Sequence, residues 1–193
     1  PLYQQIWIAV HKSLVAYPDE TSWRVNGRLW WLWDFVTASV TLYVIRASRG
    51  FDVILEVLGE AYVGTLGHDG WRPYDNLEFA THQTCLRHLL WRCHELLEVG
   101  ERGAVRFPRA LQDVLRGGIA LGKRRDLGLV SEHGLAVARG RLEARLDRLL
   151  DSRLSHPGNA KLAKHVAAHQ DQVFTFLRET GVESSNWPAE QEI

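Results

Sequence analysis

Methionine is absent from this 193-residue chain, and cysteine occurs only twice, as Cys85 and Cys93. So few thiols argue against a disulfide framework, and a reducing cytoplasm is the expected setting. Long apolar runs are missing too. The longest, Leu29 to Val36, is interrupted by Asp34 and falls well short of the roughly 20 residues a membrane helix needs. Nothing at the start reads as a signal peptide, so a soluble protein without a membrane partner is expected. Internal repeats and low-complexity tracts are lacking as well. Net charge is also lacking: 23 Lys and Arg balance 23 Asp and Glu, which on its face argues against nucleic acid.

The distribution of charge says more than its total. Residues 101–153 carry 12 Lys and Arg against 7 Asp and Glu, and the rest of the chain carries 11 against 16. An acidic body with a basic middle suits an enzyme that gathers metal ions in one place and phosphates in another. The same count also fits amphipathic helices with solvated Arg-rich faces, and charge alone leaves both readings open. The composition is otherwise that of a globular protein, 46% hydrophobic with eight Trp. The length fits one domain, or one domain with a large insertion. A start at Pro1 and a stop at Ile193, just after a motif, read as a fragment of something longer.

Residues 1–12 read as the tail of a helix or linker. Ser13 to Tyr17 reads as a strand running into a loop at Pro18-Asp19. Arg28 to Thr37 and Thr41 to Ala47 are rich in aromatic and β-branched residues and predict a hairpin. Val53, Ile54, Val57 and Leu58 mark a helix face ending near Gly59. Ala61 to Leu66 predicts another strand, parallel to the first, ending at Gly67-His68-Asp69-Gly70. A helix is predicted from Thr81 to Val99, and a second one before Gly117-Gly118. A third is centred on Leu135 to Leu150 and a fourth on Leu162 to Leu177. Asn186-Trp187-Pro188 predicts a last helix, with Asn as cap and Pro in its first turn.

Asp19 and Asp69 thus stand at predicted strand ends, flanked by Pro or Gly. In an open α/β sheet, sites form beyond the carboxyl ends of strands. Two carboxylates meeting there, with a third from a helix, suit one or two Mg²⁺ ions and phosphoryl transfer. A strand-end Asp is also an ordinary turn former, and position alone does not decide between the two.

The surrounding segments add to this. Asp19-Glu20-Thr21-Ser22-Trp23-Arg24-Val25, Tyr43-Val44-Ile45-Arg46-Ala47-Ser48-Arg49-Gly50, Asp69-Gly70-Trp71 with Tyr74-Asp75, Cys85-Leu86-Arg87-His88, and Asn186-Trp187-Pro188-Ala189-Glu190 occur in this order. Together they resemble the signature segments of the insertion sequence 66 family of bacterial transposases. Ser22 departs from that family's usual Gly, Ser185 from the first Asn of a pair, Gln191 from a common Arg, and His68 from a frequent Ser. No acid is lost.

The resemblance implies an α/β, RNase H-like mixed sheet with flanking helices and a large helical insertion. Residues 1–100 would form the first part of the core, 101–180 the insertion, and 181–193 the start of the last core helix. It further implies a DDE transposase in which Asp19, Asp69 and Glu190 are both catalytic and metal-binding, with Mg²⁺ or Mn²⁺ as cofactor, two ions in number. The partners would be DNA, as transposon ends and target, and further copies of the chain. An RNase H-like nuclease without strand transfer and an inactive DNA- or partner-binding remnant are the competing readings. Arg24, Arg46, Arg49 and Arg72 are candidate phosphate contacts or solvated cations. Trp71 is a base-stacking candidate or a core-rim aromatic. Cys85 and His88 are a structural pair, either for zinc or as packed side chains. His82 and His88 are candidates for orienting the loop that carries Asp69.

Overall fold

The computed structural model describes residues 1–100 and 103–192. The chain divides into two compact units: Pro1–Cys85 with Gly181–Ile193, and Leu86–Thr180. The division expected at residue 100 lies beside residues 101 and 102, which are outside the described residues, as is residue 193.

The first unit is built on a five-stranded mixed sheet. Its strands are β1 (Val15–Val25), β2 (Arg28–Val36), β3 (Thr41–Arg46), β4 (Thr65–His68) and β5 (Thr81–Thr84), in spatial order β3-β2-β1-β4-β5. β1, β2 and β3 are antiparallel neighbours, while β4 runs parallel to β1 and β5 parallel to β4. Helices α1 (Leu2–His11), α2 (Phe51–Leu58) and the short α7 (Trp187–Glu190) belong to the same unit.

β1 does not stop at Pro18-Asp19 as the sequence suggests; it continues to Val25. The cause is the turn at Asn26 and Gly27, both with positive φ (50° and 77°). Such a two-residue turn matches the twist of an antiparallel pair. It holds nine consecutive residues of β1 against β2, from Tyr17↔Val36 to Val25↔Arg28. Pro18 is tolerated because the β4 ladder covers only Val15 and Ala16, leaving that edge of β1 without a partner needing an N–H. β4 starts later than the apolar run predicted, and β5 replaces the first turn of the predicted helix. Thr81-His82-Gln83-Thr84 is too short and too polar to show a strand period.

One face of the sheet carries the main core: Ala16, Trp33, Phe35, Leu42, Ile54 and Leu66 are each at most 1% exposed. On the other face Tyr17, Val36 and Ala189 pack together, seating α7 on β1 and β2.

The second unit is helical: α3 (Leu86–Glu98), α4 (Arg106–Asp126), α5 (Glu132–Leu150), α6 (Pro157–Ala168), then single 3-10 turns at Gln170–Gln172 and Thr175–Leu177. α4 packs against α3 and α5. It does not end before Gly117-Gly118 but runs straight through them. Glycine weakens an isolated helix by about 1 kcal/mol relative to Ala, so a packing gain must offset that loss. A Cβ on Gly118 would lie 2.5 Å from Cε1 of buried Phe174. Gly118→Ala is therefore expected to destabilise this unit by about 1–2 kcal/mol, after allowing for the better helix propensity. Urea unfolding checks this, and a variant as stable as wild type would contradict the close packing. No described helix is long and apolar enough to cross a membrane.

Candidate active site

The register of β1 and β4 levels the two candidate acids. Val15 is opposite Thr65 and Ala16 opposite Leu66, an offset that, extended three residues beyond the ladder, sets Asp19 level with Asp69. Asp69 follows the last residue of β4, while Asp19 lies within β1.

The loop after β4 is held by its own hydrogen bonds. Trp71 N–H donates to Asp69 Oδ1 at 2.7 Å, and Gly70 N–H donates to His68 Nδ1 at 3.1 Å. Because His68 Nδ1 accepts, its proton sits on Nε2 in the neutral ring. Nε2 lies 3.1 Å from His82 Nδ1, and His82 Nε2 lies 3.2 Å from Leu77 O. The bonds therefore run in one direction: Gly70 N–H to His68, His68 Nε2–H to His82, His82 Nε2–H to Leu77 O. His82 thus steadies the Asp69 loop through the fully buried His68. His82→Phe is expected to cost about 1–2 kcal/mol; chemical unfolding reads the loss, and an unchanged midpoint would exclude this role.

A second set of contacts backs the loop. Arg49 bonds to Glu20 Oε1 at 2.6–2.8 Å. Its guanidinium also lies over Trp31 at 4.8 Å and Trp71 at 5.0 Å. Tyr74 donates to Glu20 Oε2 at 3.2 Å. Burial pushes the Glu20 carboxyl above its ordinary range, and Arg49 offsets part of that rise. Burial also raises the Tyr74 phenol well above its ordinary value, with the charges of Glu20, Asp69 and Asp19 adding to it. Tyr74 is therefore a neutral, fixed hydroxyl within electrostatic reach of both candidate acids.

The DNA-contact candidates divide. Arg46 is paired with Glu56 at 2.5–2.8 Å and Arg49 is held as above, whereas Arg24 and Arg72 are exposed. Trp71 is partly buried and packs against the main core, 6.2 Å from Trp33.

Glu190 is carried by α7. Asn186 occupies the cap position, but its side chain makes no cap bond. Its Nδ2 instead donates to Pro18 O at 3.1 Å, one residue before Asp19, and its N–H donates to Cys85 Sγ at 3.2 Å. Cys85, fully buried after β5, thus fixes the start of α7. A Glu190 carboxylate oxygen comes within 4.8 Å of Cys85 Sγ; Asp19, Asp69 and Glu190 do not form a mutual cluster at that distance. His88 lies on α3 of the helical unit.

One further acid shows in the sequence only as a break in an apolar run. Asp34 is 0% exposed and is the cross-strand partner of Asp19. Burial first, and then the Asp19 charge, push its carboxyl up to about 8. The amides of Asp34 and Asp19 offset part of that rise, yet neither oxygen of Asp34 makes a hydrogen bond of ordinary geometry. The signal was available: an Asn-Gly turn at 26–27 sets a register that pairs 34 with 19.

The donor set is of the kind a hard divalent cation takes: Asp19 and Asp69 carry carboxylate oxygens, and Asp34 brings two orphaned oxygens beside Asp19. No match was found among curated proteins or solved structures. A sequence profile described as Transposase IS66 family matches residues 1–193, the whole length. The chain therefore belongs to the IS66 family of transposases.

Proposed function

We propose that the chain is the catalytic core of a DNA transposase with an RNase H-like fold, cleaving transposon ends and joining them to target DNA. The carrying observation is the offset of the parallel β1–β4 pair, which, extended three residues past Ala16↔Leu66, brings Asp19 within β1 level with Asp69 just after β4. The antiparallel β1-β2-β3 followed by parallel β4 and β5 supports the fold assignment. Asp19 and Asp69 are the proposed ligands of Mg²⁺ or Mn²⁺, two ions in number. Glu190 is the proposed third acid, on the helix that Asn186 ties to Pro18 O.

Held by Asp19 and Asp69 with Glu190, such ions would supply activation of the attacking oxygen and charge neutralisation at the leaving one in an in-line displacement at phosphorus. The chain's own groups prepare that chemistry. The His68–His82 relay and the Trp71 N–H hold Asp69 in place, and Glu20, Arg49 and Tyr74 keep the loop from shifting. Arg24 and Arg72 are the proposed phosphate contacts of this unit. The protein acts as an oligomer on DNA in this reading, because two transposon ends must be held together.

Cleavage of intact transposon ends and joining of pre-cleaved ends, both in Mn²⁺, test the proposal. Joined products that vanish on chelation are expected. Cleavage without joining would leave a nuclease, and neither activity would leave a DNA-binding remnant.

A further inference from the structure

The helical unit holds a groove of about 510 Å³ between the start of α4, the later turns of α5 and the start of α6. Phe107, Leu149 and Leu154 supply its apolar floor, and Arg106, Arg145, Arg148 and Arg153 its rim. No Asp or Glu lines it among the described residues. The helical period explains the gathering. Arg145, Arg148 and Leu149 fall on one stripe of α5, since residues three and four apart share a face. Arg106 opens α4, whose first turn has no side-chain cap. Arg145 has an acid nearby, Asp113 at 3.8 Å, but both side chains are at least half exposed, so screening leaves little of that attraction.

Four guanidinium groups around one groove repel one another unless an anion lies among them. Their flat forks match phosphate oxygens two at a time. A groove whose four arginines are all exposed suits a chain of phosphates, and the first turns of α4 and α6 line it and add partial positive charge.

We propose that this groove binds the phosphate backbone of duplex DNA, which would give the helical unit a DNA-holding role separate from the carboxylate site. The inference rests on DNA being the partner of the chain.

The test measures binding of the full chain to a fluorescent duplex by anisotropy across a salt series. The double variant Arg145→Ala/Arg148→Ala is compared with Lys123→Ala/Arg124→Ala, which removes the same charge about 15 Å further along α4 from Asp113, the residue beside Arg145. The groove pair is expected to weaken binding at least tenfold. It should also lower the slope of log K against log salt by about 1.8, the value for two lost phosphate contacts. The control pair should stay within twofold. All four residues are exposed, and an unchanged melting temperature verifies folding in each case. Equal effects of the two pairs would overturn the groove assignment while leaving DNA as partner. Displacement of the duplex by millimolar inorganic phosphate at matched ionic strength would mark a small-anion site and also overturn it. Failure of the wild-type chain to bind duplex at all would instead remove the DNA reading on which the inference rests.

Discussion

Replacing Asp34 by asparagine is expected to stabilise the protein, and by far more at pH 8 than at pH 4. Asp34 is fully buried beside Asp19, and its carboxyl is pushed from 3.8 up to about 8. In the unfolded chain the same group ionises near pH 4. Between these two values the folded protein holds a proton that the unfolded chain releases, so wild-type stability falls as pH rises through the window. The slope is about 1.4 kcal/mol per pH unit for one proton. Asparagine keeps the shape and never ionises. The variant should therefore match wild type near pH 4 and gain on it steadily, by roughly 2–5 kcal/mol at pH 8 once relaxation is allowed for. Urea unfolding in chelator at several pH values measures this. A stability difference independent of pH would show that Asp34 ionises normally. Removing the Asp19 charge should also move the upper end of the window to lower pH, because that charge is the second cause of the shift.

Asp19→Ala and Asp69→Ala are each expected to reduce metal-dependent strand transfer by about 10³-fold or more, some 4 kcal/mol of transition-state stabilisation. On the proposed reading Mn²⁺ or Mg²⁺ should raise the melting temperature of the wild type, and the same substitutions should abolish that rise. The two readouts separate a metal site from a merely structural carboxylate. A variant that loses activity yet keeps the thermal response to metal would remove that acid from the ligand set. Glu190→Ala belongs in the same series. Its carboxylate lies near Cys85 rather than in a close cluster with the other two acids, so its thermal response to metal decides whether it joins them.

How much of the candidate site is legible in the sequence differs residue by residue. Asp69 was legible because Gly67 and Gly70 bracket it after an apolar run. Asp19 was legible through its neighbouring segment, although its predicted place at a strand end was mistaken; the Asn26-Gly27 turn carries β1 onward to Val25. Arg49 and Trp71 drew notice as possible DNA contacts, yet they stack on one another with Trp31. Charge and aromaticity in a sequence do not reveal which partner is already present. The sequence predicts Asn186 as a helix cap, but its amide reaches Pro18 O instead. Both uses need the same residue at the same position, so no local pattern separates them.

The sequence by itself determined the alternation of strands and helices over most of the chain, the two acids beside turn-forming residues, and the ordered segments that mark the transposase family. These follow from local chemistry: period, turn residues and short motifs act over a few neighbouring positions. The tertiary structure alone decided that Asp34 faces Asp19, that His68 and His82 join behind the Asp69 loop, that Gly118 lets α4 lie against Phe174, and that four arginines share one groove. Each depends on residues distant in sequence meeting at a few ångströms. Burial then changes their chemistry, turning an ordinary carboxylate into a group that holds its proton near neutral pH.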